Sequence, residues 1–144
     1  MIIEVCSRVG ALERVKTVSG AAAVISVTSL EEKDVEFERN AQIISILHLK
    51  FNDLKEEVDE EGIPYGRPLP KPENFKGLKA FTDDLDRLGC ERLIIHCNEG
   101  VSRSAALAQA VFRYRGGRDE VKTQRPPDPN PLVYELACRE LGLF

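Results

Sequence analysis

The chain has 144 residues and 42% hydrophobic content, enough to close one core, so residues 1–144 are expected to form a single domain. A formal net charge of −4 argues against a nucleic-acid surface, and no apolar run approaches the roughly 18 to 20 residues that a membrane span needs. The opening MIIEVCSRVG lacks the pattern of a secretory signal. Cys6, Cys90, Cys97 and Cys138 show neither CxxC pairs nor zinc-ligand spacings, so reduced thiols in a cytoplasmic protein are expected, without a disulfide framework or structural metal.

In chain order, MIIEVC reads as a strand. SRVGALERVKTVS reads as a helix with Ser7 as its cap and Val9, Leu12, Val15 and Val18 near helical spacing. GAAAVISVTS and AQIISILHLKF are rich in β-branched residues and read as two strands joined by the charged stretch LEEKDVEFERN. From Asn52, NDLKEEVDEEGIPYGRPLPKP reads as a loop of about twenty residues, a length that in a compact domain is usually functional. ENFKGLKAFTDDLDRLG places Phe75, Leu78, Phe81, Leu85 and Leu88 on one helical face and stops at Gly89. ERLIIHC follows as a strand buried on both faces. SRSAALAQAVFRYRGG predicts an alanine-rich helix closed by Gly116-Gly117, and the remainder predicts a short helical piece, a proline-rich connector and a last helix over Pro131–Leu141. Strands alternating with helices point to an α/β fold with a mainly parallel central sheet of about four strands, flanked by helices.

IIHCNEGVSRSAAL, residues 94–107, concentrates the chemistry. A buried strand that breaks into a glycine-containing loop and then a helix turns backbone N–H groups inward and adds the positive end of the helix dipole, which makes an anion cradle. The cradle would consist of Asn98, Glu99, Gly100, Val101, Ser102 and Arg103, with Gly100 giving the turn its backbone freedom. A thiol at a helix N-terminus beside a cation loses its proton readily, so Cys97 is the expected nucleophile. Arg103 would hold two phosphate oxygens through its planar guanidinium and follow their charge into the transition state. Ser104 would hydrogen-bond the sulfur as it leaves, and His96 would support the loop from behind. The expected reaction is in-line attack on a phosphate monoester, a cysteinyl-phosphate intermediate and its hydrolysis, with no cofactor or metal required.

HCNEGVSRS resembles the HCxxGxxR signature of the cysteine-dependent protein tyrosine phosphatases, and its GVSRS half is most similar to the small dual-specificity branch. The resemblance extends over roughly residues 40–116 in the order of its elements, and PNPLVYELACRELG is similar to the last helix of compact bacterial members. It places the phosphate loop between the last strand and a helix. It implies a phosphorylated protein or small phosphoester as substrate, with neither nucleic acid nor membrane as partner.

The resemblance also implies an aspartate on an upstream loop, needed to protonate the leaving oxygen and later to activate water. Asp53, directly after the third strand, is the first candidate; the long insertion before Cys97 keeps Asp59 as an alternative, with Glu56 behind it. Glu99 stands where many dual-specificity members have alanine. It is expected either to point to solvent or to discriminate against highly phosphorylated ligands. Two other functions carry the same cradle: an RNA 5′-triphosphatase, which the acidic charge disfavours, and a phosphoprotein-binding pseudophosphatase. Cys6, Cys90 and Cys138 are expected to pack in the interior or on helix faces, with a resolving thiol for oxidised Cys97 as the alternative.

Overall fold

A computed structural model of the chain describes residues 1–38 and 40–144. Five strands, β1 (Ile2–Cys6), β2 (Ala22–Thr28), β3 (Ile43–Lys50), β4 (Arg92–His96) and β5 (Glu120–Thr123), form one sheet in the order β3-β2-β4-β1-β5. Every pairing is parallel. Four helices flank the sheet: α1 (Arg8–Thr17), α2 (Leu78–Arg87), α3 (Arg103–Tyr114) and α4 (Pro131–Glu140). A short 3-10 helix, Pro72–Phe75, leads into α2. None of these helices is long and apolar enough to cross a membrane.

The strands alternate their side chains between two cores, as a sheet covered on both faces requires. Ile3, Val5, Ile25, Val27, Leu93 and Ile95 meet α2, α3 and α4 in the larger core. Cys6, Val24 and Ile94 meet Ala11 and Val15 of α1 in the smaller one. Glu4 is buried on β1 and forms ion pairs with Arg14 of α1 at 2.8 Å and Arg92 of β4 at 2.6 Å.

Two local expectations are corrected. Residues 120–123 form a strand, whereas a short helical piece was expected before the proline-rich connector. Its register, Ile2↔Glu120 to Val5↔Thr123, depends on pairing with β1, a distant segment. Four exposed residues are too few to show a period of two. Helix α1 begins where Ser7 predicts, with the Ser7 hydroxyl accepting from the Gly10 N–H at 3.0 Å. Of the residues at helical spacing, Val15 and Val18 are buried together with Ala11, whereas Leu12 is half-buried and Val9 is 71% exposed. The small Ala11 side chain allows a close approach to the sheet that Val9 and Leu12 would prevent.

Because the sheet is all parallel, the carboxyl ends of its strands share one edge. Cys6, Thr28, Lys50 and His96 bring Ser7, Ser29, Phe51 and Cys97 to that edge. Open parallel sheets bind ligands there.

Candidate active site

Strand β4 ends on His96, which is fully buried. Its Nδ1 lies 3.1 Å from the Cys97 carbonyl oxygen and its Nε2 lies 2.6 Å from Ser26 Oγ. A carbonyl only accepts, so Nδ1 carries the proton and Nε2 accepts from the serine hydroxyl in a neutral ring. Burial drives the imidazole below its ordinary pKa, against the opposing effect of the bond to Cys97. The ring therefore braces the start of the loop without carrying charge.

Cys97 follows in the buried floor of the loop. Its sulfur lies 3.1 Å from Ser104 Oγ and accepts the Gly100 N–H at 3.3 Å. Burial alone would raise its pKa. The Ser104 hydroxyl, the Ser104 and Gly100 backbone N–H groups and the Arg103 charge outweigh burial and leave the thiol below its ordinary value. Cys6 behaves in the opposite way: burial, reinforced by the Glu4 charge, pushes it up to about 11. Burial also raises Cys90.

Gly100 makes the turn possible on two counts. Its φ is +74°, and a Cβ there would lie 2.5 Å from the Cys6 carbonyl carbon and 2.6 Å from the Ser7 nitrogen. The loop thus packs backbone to backbone against the β1–α1 junction, where the Arg8 N–H also donates to the Asn98 carbonyl at 3.1 Å. On the other side, the Asp128 and Asn130 N–H groups donate to the Val101 and Ser102 carbonyls at 2.9 and 3.3 Å. Two segments distant in sequence hold one short loop.

Arg103, the first residue of α3, is only 4% exposed. One terminal nitrogen donates to Ser29 Oγ at 3.1 Å and to the Phe51 carbonyl at 2.9 Å, so the carboxyl ends of β2 and β3 aim the guanidinium. Its Nε is buried and has no hydrogen-bond partner among the described residues. A buried donor in that state is costly unless a ligand supplies the acceptor.

Asp53 lies on the exposed side of the same site. Its Oδ1 accepts from Ser102 Oγ at 2.8 Å and from Asn130 Nδ2 at 2.9 Å. The Asn130 amide group also donates to the Leu54 carbonyl at 3.1 Å, while its Oδ1 caps α4 by accepting from Leu132 and Val133.

These residues converge. Cys97, Arg103 and Asp53 line a cleft of about 280 Å³ together with Asn98, Glu99, Val101 and Ser102, all of them residues the sequence singles out. Glu99 is exposed on the rim. Asp59 is not among the lining residues; its Oδ1 accepts from the Glu61 and Ile63 N–H groups and shapes a turn in the long loop. Glu56 lines an adjoining depression. Among the described residues, no group of three or more His, Cys, Asp or Glu side chains converges to hold a metal ion.

Three participants have no expectation from the sequence: Ser29, Arg67 and Asn130. Ser29 directly follows β2, at the strand end where such sites form, and that position is its only sequence signal. Arg67 lies within the long loop, and its reach into the cleft depends on how that loop folds back. Asn130 precedes a proline at the start of a helix, a recognisable cap whose second role is not visible locally. No protein-family model matches the chain and no curated protein matches it in sequence.

Proposed function

We propose that this chain is a phosphate-monoester hydrolase of the protein tyrosine or dual-specificity type, working in the cytoplasm through a cysteinyl-phosphate intermediate. The observation that carries the reading is the pairing, in one small cleft, of a thiol held below its ordinary pKa with the unpartnered, buried Nε of Arg103. A phosphate dianion supplies the acceptor that this nitrogen lacks. The likeness of HCNEGVSRS to the phosphatase signature supports the same reading.

In the first step the Cys97 sulfur attacks phosphorus in line. The S–P bond forms, the ester P–O bond breaks, and protonated Asp53 gives its proton to the leaving oxygen. Oδ1 of Asp53 already accepts two hydrogen bonds, which leaves Oδ2 to carry that proton. In the second step the Asp53 carboxylate takes a proton from water, the water oxygen bonds to phosphorus, and the S–P electron pair returns to sulfur. Ser104 donates a hydrogen bond to the departing thiolate. Arg103 and the loop N–H groups stabilise the equatorial oxygens in both steps.

The test is hydrolysis of an aryl phosphate by the native chain, by Cys97→Ser and by Asp53→Asn. The reading expects no turnover with serine and a loss of at least about a hundredfold with asparagine. A native chain that binds vanadate without turning over any ester would instead be a phosphoprotein-binding domain.

A further inference from the structure

Beside the phosphate cleft lies a second depression of about 360 Å³. The two share Asp53, Arg67 and Ser102 as a common border, so they form one continuous trough. A volume of 280 Å³ is enough for a phosphoryl group and the side chain that bears it. The chain flanking that side chain has the second depression as its neighbour.

The lining of this depression has a definite chemistry. Val58 and Tyr65, brought together by the antiparallel bridge Val58↔Pro64, are 38% and 46% exposed and offer an aliphatic and an aromatic surface. Beyond the shared border, the charged lining among the described residues is Glu56, Glu60 and Asp128 with one cation, Lys55. None of these three carboxylates has an ion-pair partner among the described residues. A lysine or arginine side chain matches such a surface: its stem covers apolar groups and an aromatic face, and its head meets the carboxylates. A second phosphate group, whether of a polyphosphate ester or a nucleic-acid backbone, would meet like charge.

We propose that this depression is a subsite for a lysine or arginine side chain of a phosphorylated polypeptide, close in sequence to the residue whose phosphate enters the Cys97 cleft. The proposal rests on the hydrolase reading of that cleft and adds its substrate class: phosphoproteins with basic residues beside the modified one. Arg67, at the border, and Arg103 bring two guanidinium groups to the phosphate end of the trough, whereas the far end is acidic. The trough therefore has a polarity that orients the bound chain.

Three substrates test it: a phosphotyrosine peptide with flanking arginines, the same peptide with flanking glutamates, and an aryl phosphate with no peptide. The native chain should hydrolyse the arginine peptide with a kcat/KM at least about fivefold above the glutamate peptide, and the ratio should fall as salt is raised. The charge reversal Glu60→Lys should bring the ratio close to one and leave aryl phosphate hydrolysis unchanged. Equal kcat/KM for the two peptides in the native chain, or an undiminished ratio in the Glu60→Lys variant, overturns the subsite while the hydrolase reading stands. Absence of turnover with all three substrates overturns the hydrolase reading. In that event the dissociation constants of Cys97→Ser for the two peptides decide the subsite alone, with tighter binding of the arginine peptide supporting it and equal binding overturning it.

Discussion

The Asn130 amide nitrogen lies 2.9 Å from Oδ1 of Asp53, although 77 residues separate them in sequence. One side chain thus caps α4 and fixes the carboxyl group assigned the proton transfer. Asn130→Ser retains a capping oxygen and removes the amide donor, so it separates the two roles. Turnover of a phenyl ester, whose leaving group needs a proton, should fall by about tenfold. For a nitrophenyl ester, kcat/KM, which reads only the steps up to departure of the phenolate, should change by less than about twofold. The ratio of the two rates is the measurement, and equal losses would mean that Asn130 acts on the fold alone. Asn130→Ala should in addition lose about 1 kcal/mol of stability from the missing cap, read by urea unfolding.

The cysteines differ in reactivity for reasons already present in their surroundings. Brief alkylation with iodoacetamide near neutral pH should label Cys97 first, because its folded-state pKa is lowered while that of Cys6 is about 11 and that of Cys90 is raised. Peptide mapping of the label checks this. Since the Ser104 hydroxyl favours the thiolate, Ser104→Ala raises the Cys97 pKa and moves the pH profile of inactivation to higher pH. An unmoved profile would remove Ser104 from the stabilisation of sulfur.

Gly100 and Gly62 both have positive φ, +74° and +81°, but their surroundings differ. An added Cβ meets the Cys6 and Ser7 backbone at the first and open space at the second. Gly62→Ala should cost about 1 kcal/mol, the strain of the left-handed conformation alone. Gly100→Ala should cost clearly more and should abolish vanadate binding, because the loop must leave the β1–α1 junction. Urea midpoints and binding titrations of the two variants provide the comparison.

Arg103 is held through one terminal nitrogen by Ser29 and the Phe51 carbonyl, which leaves Nε of the guanidinium for a ligand. Arg103→Lys keeps the charge and loses the fork, so kcat/KM should fall by at least about a hundredfold. Inorganic phosphate should raise the melting temperature of the native chain and leave that of the variant nearly unchanged. Equal shifts in both would mean that phosphate binds away from Arg103.

What the sequence reveals of this molecule follows the range of its interactions. Cys97, Gly100, Arg103 and Ser104 lie within one short segment whose spacing encodes its own turn; Cys97 and Arg103 line the cleft, while Gly100 and Ser104 contact the Cys97 sulfur. The position of Asp53 in the cleft is legible because it follows closely on the third strand. Strands β1 to β4 carry enough apolar residues to be read locally. By contrast, β5 owes its form to β1, and Asn130 reaches Asp53 only after α4 has docked. Ser29 and Arg67 become neighbours of Cys97 because parallel strands end together and a long loop folds over their edge. Each of these depends on contacts between segments far apart in sequence, which periodicity and local motifs do not encode.

The cysteinyl-phosphate intermediate is the most direct test of the central claim. Asp53→Asn slows both the formation and the hydrolysis of that intermediate, so the variant should be mixed with an activated aryl phosphate, which needs little help in the first step, and quenched in acid. Mass spectrometry of the protein should then show one added phosphoryl group, mapped to Cys97 and absent from Cys97→Ser. A phosphoryl group on another residue, or full turnover by the Cys97→Ser variant, would contradict the account.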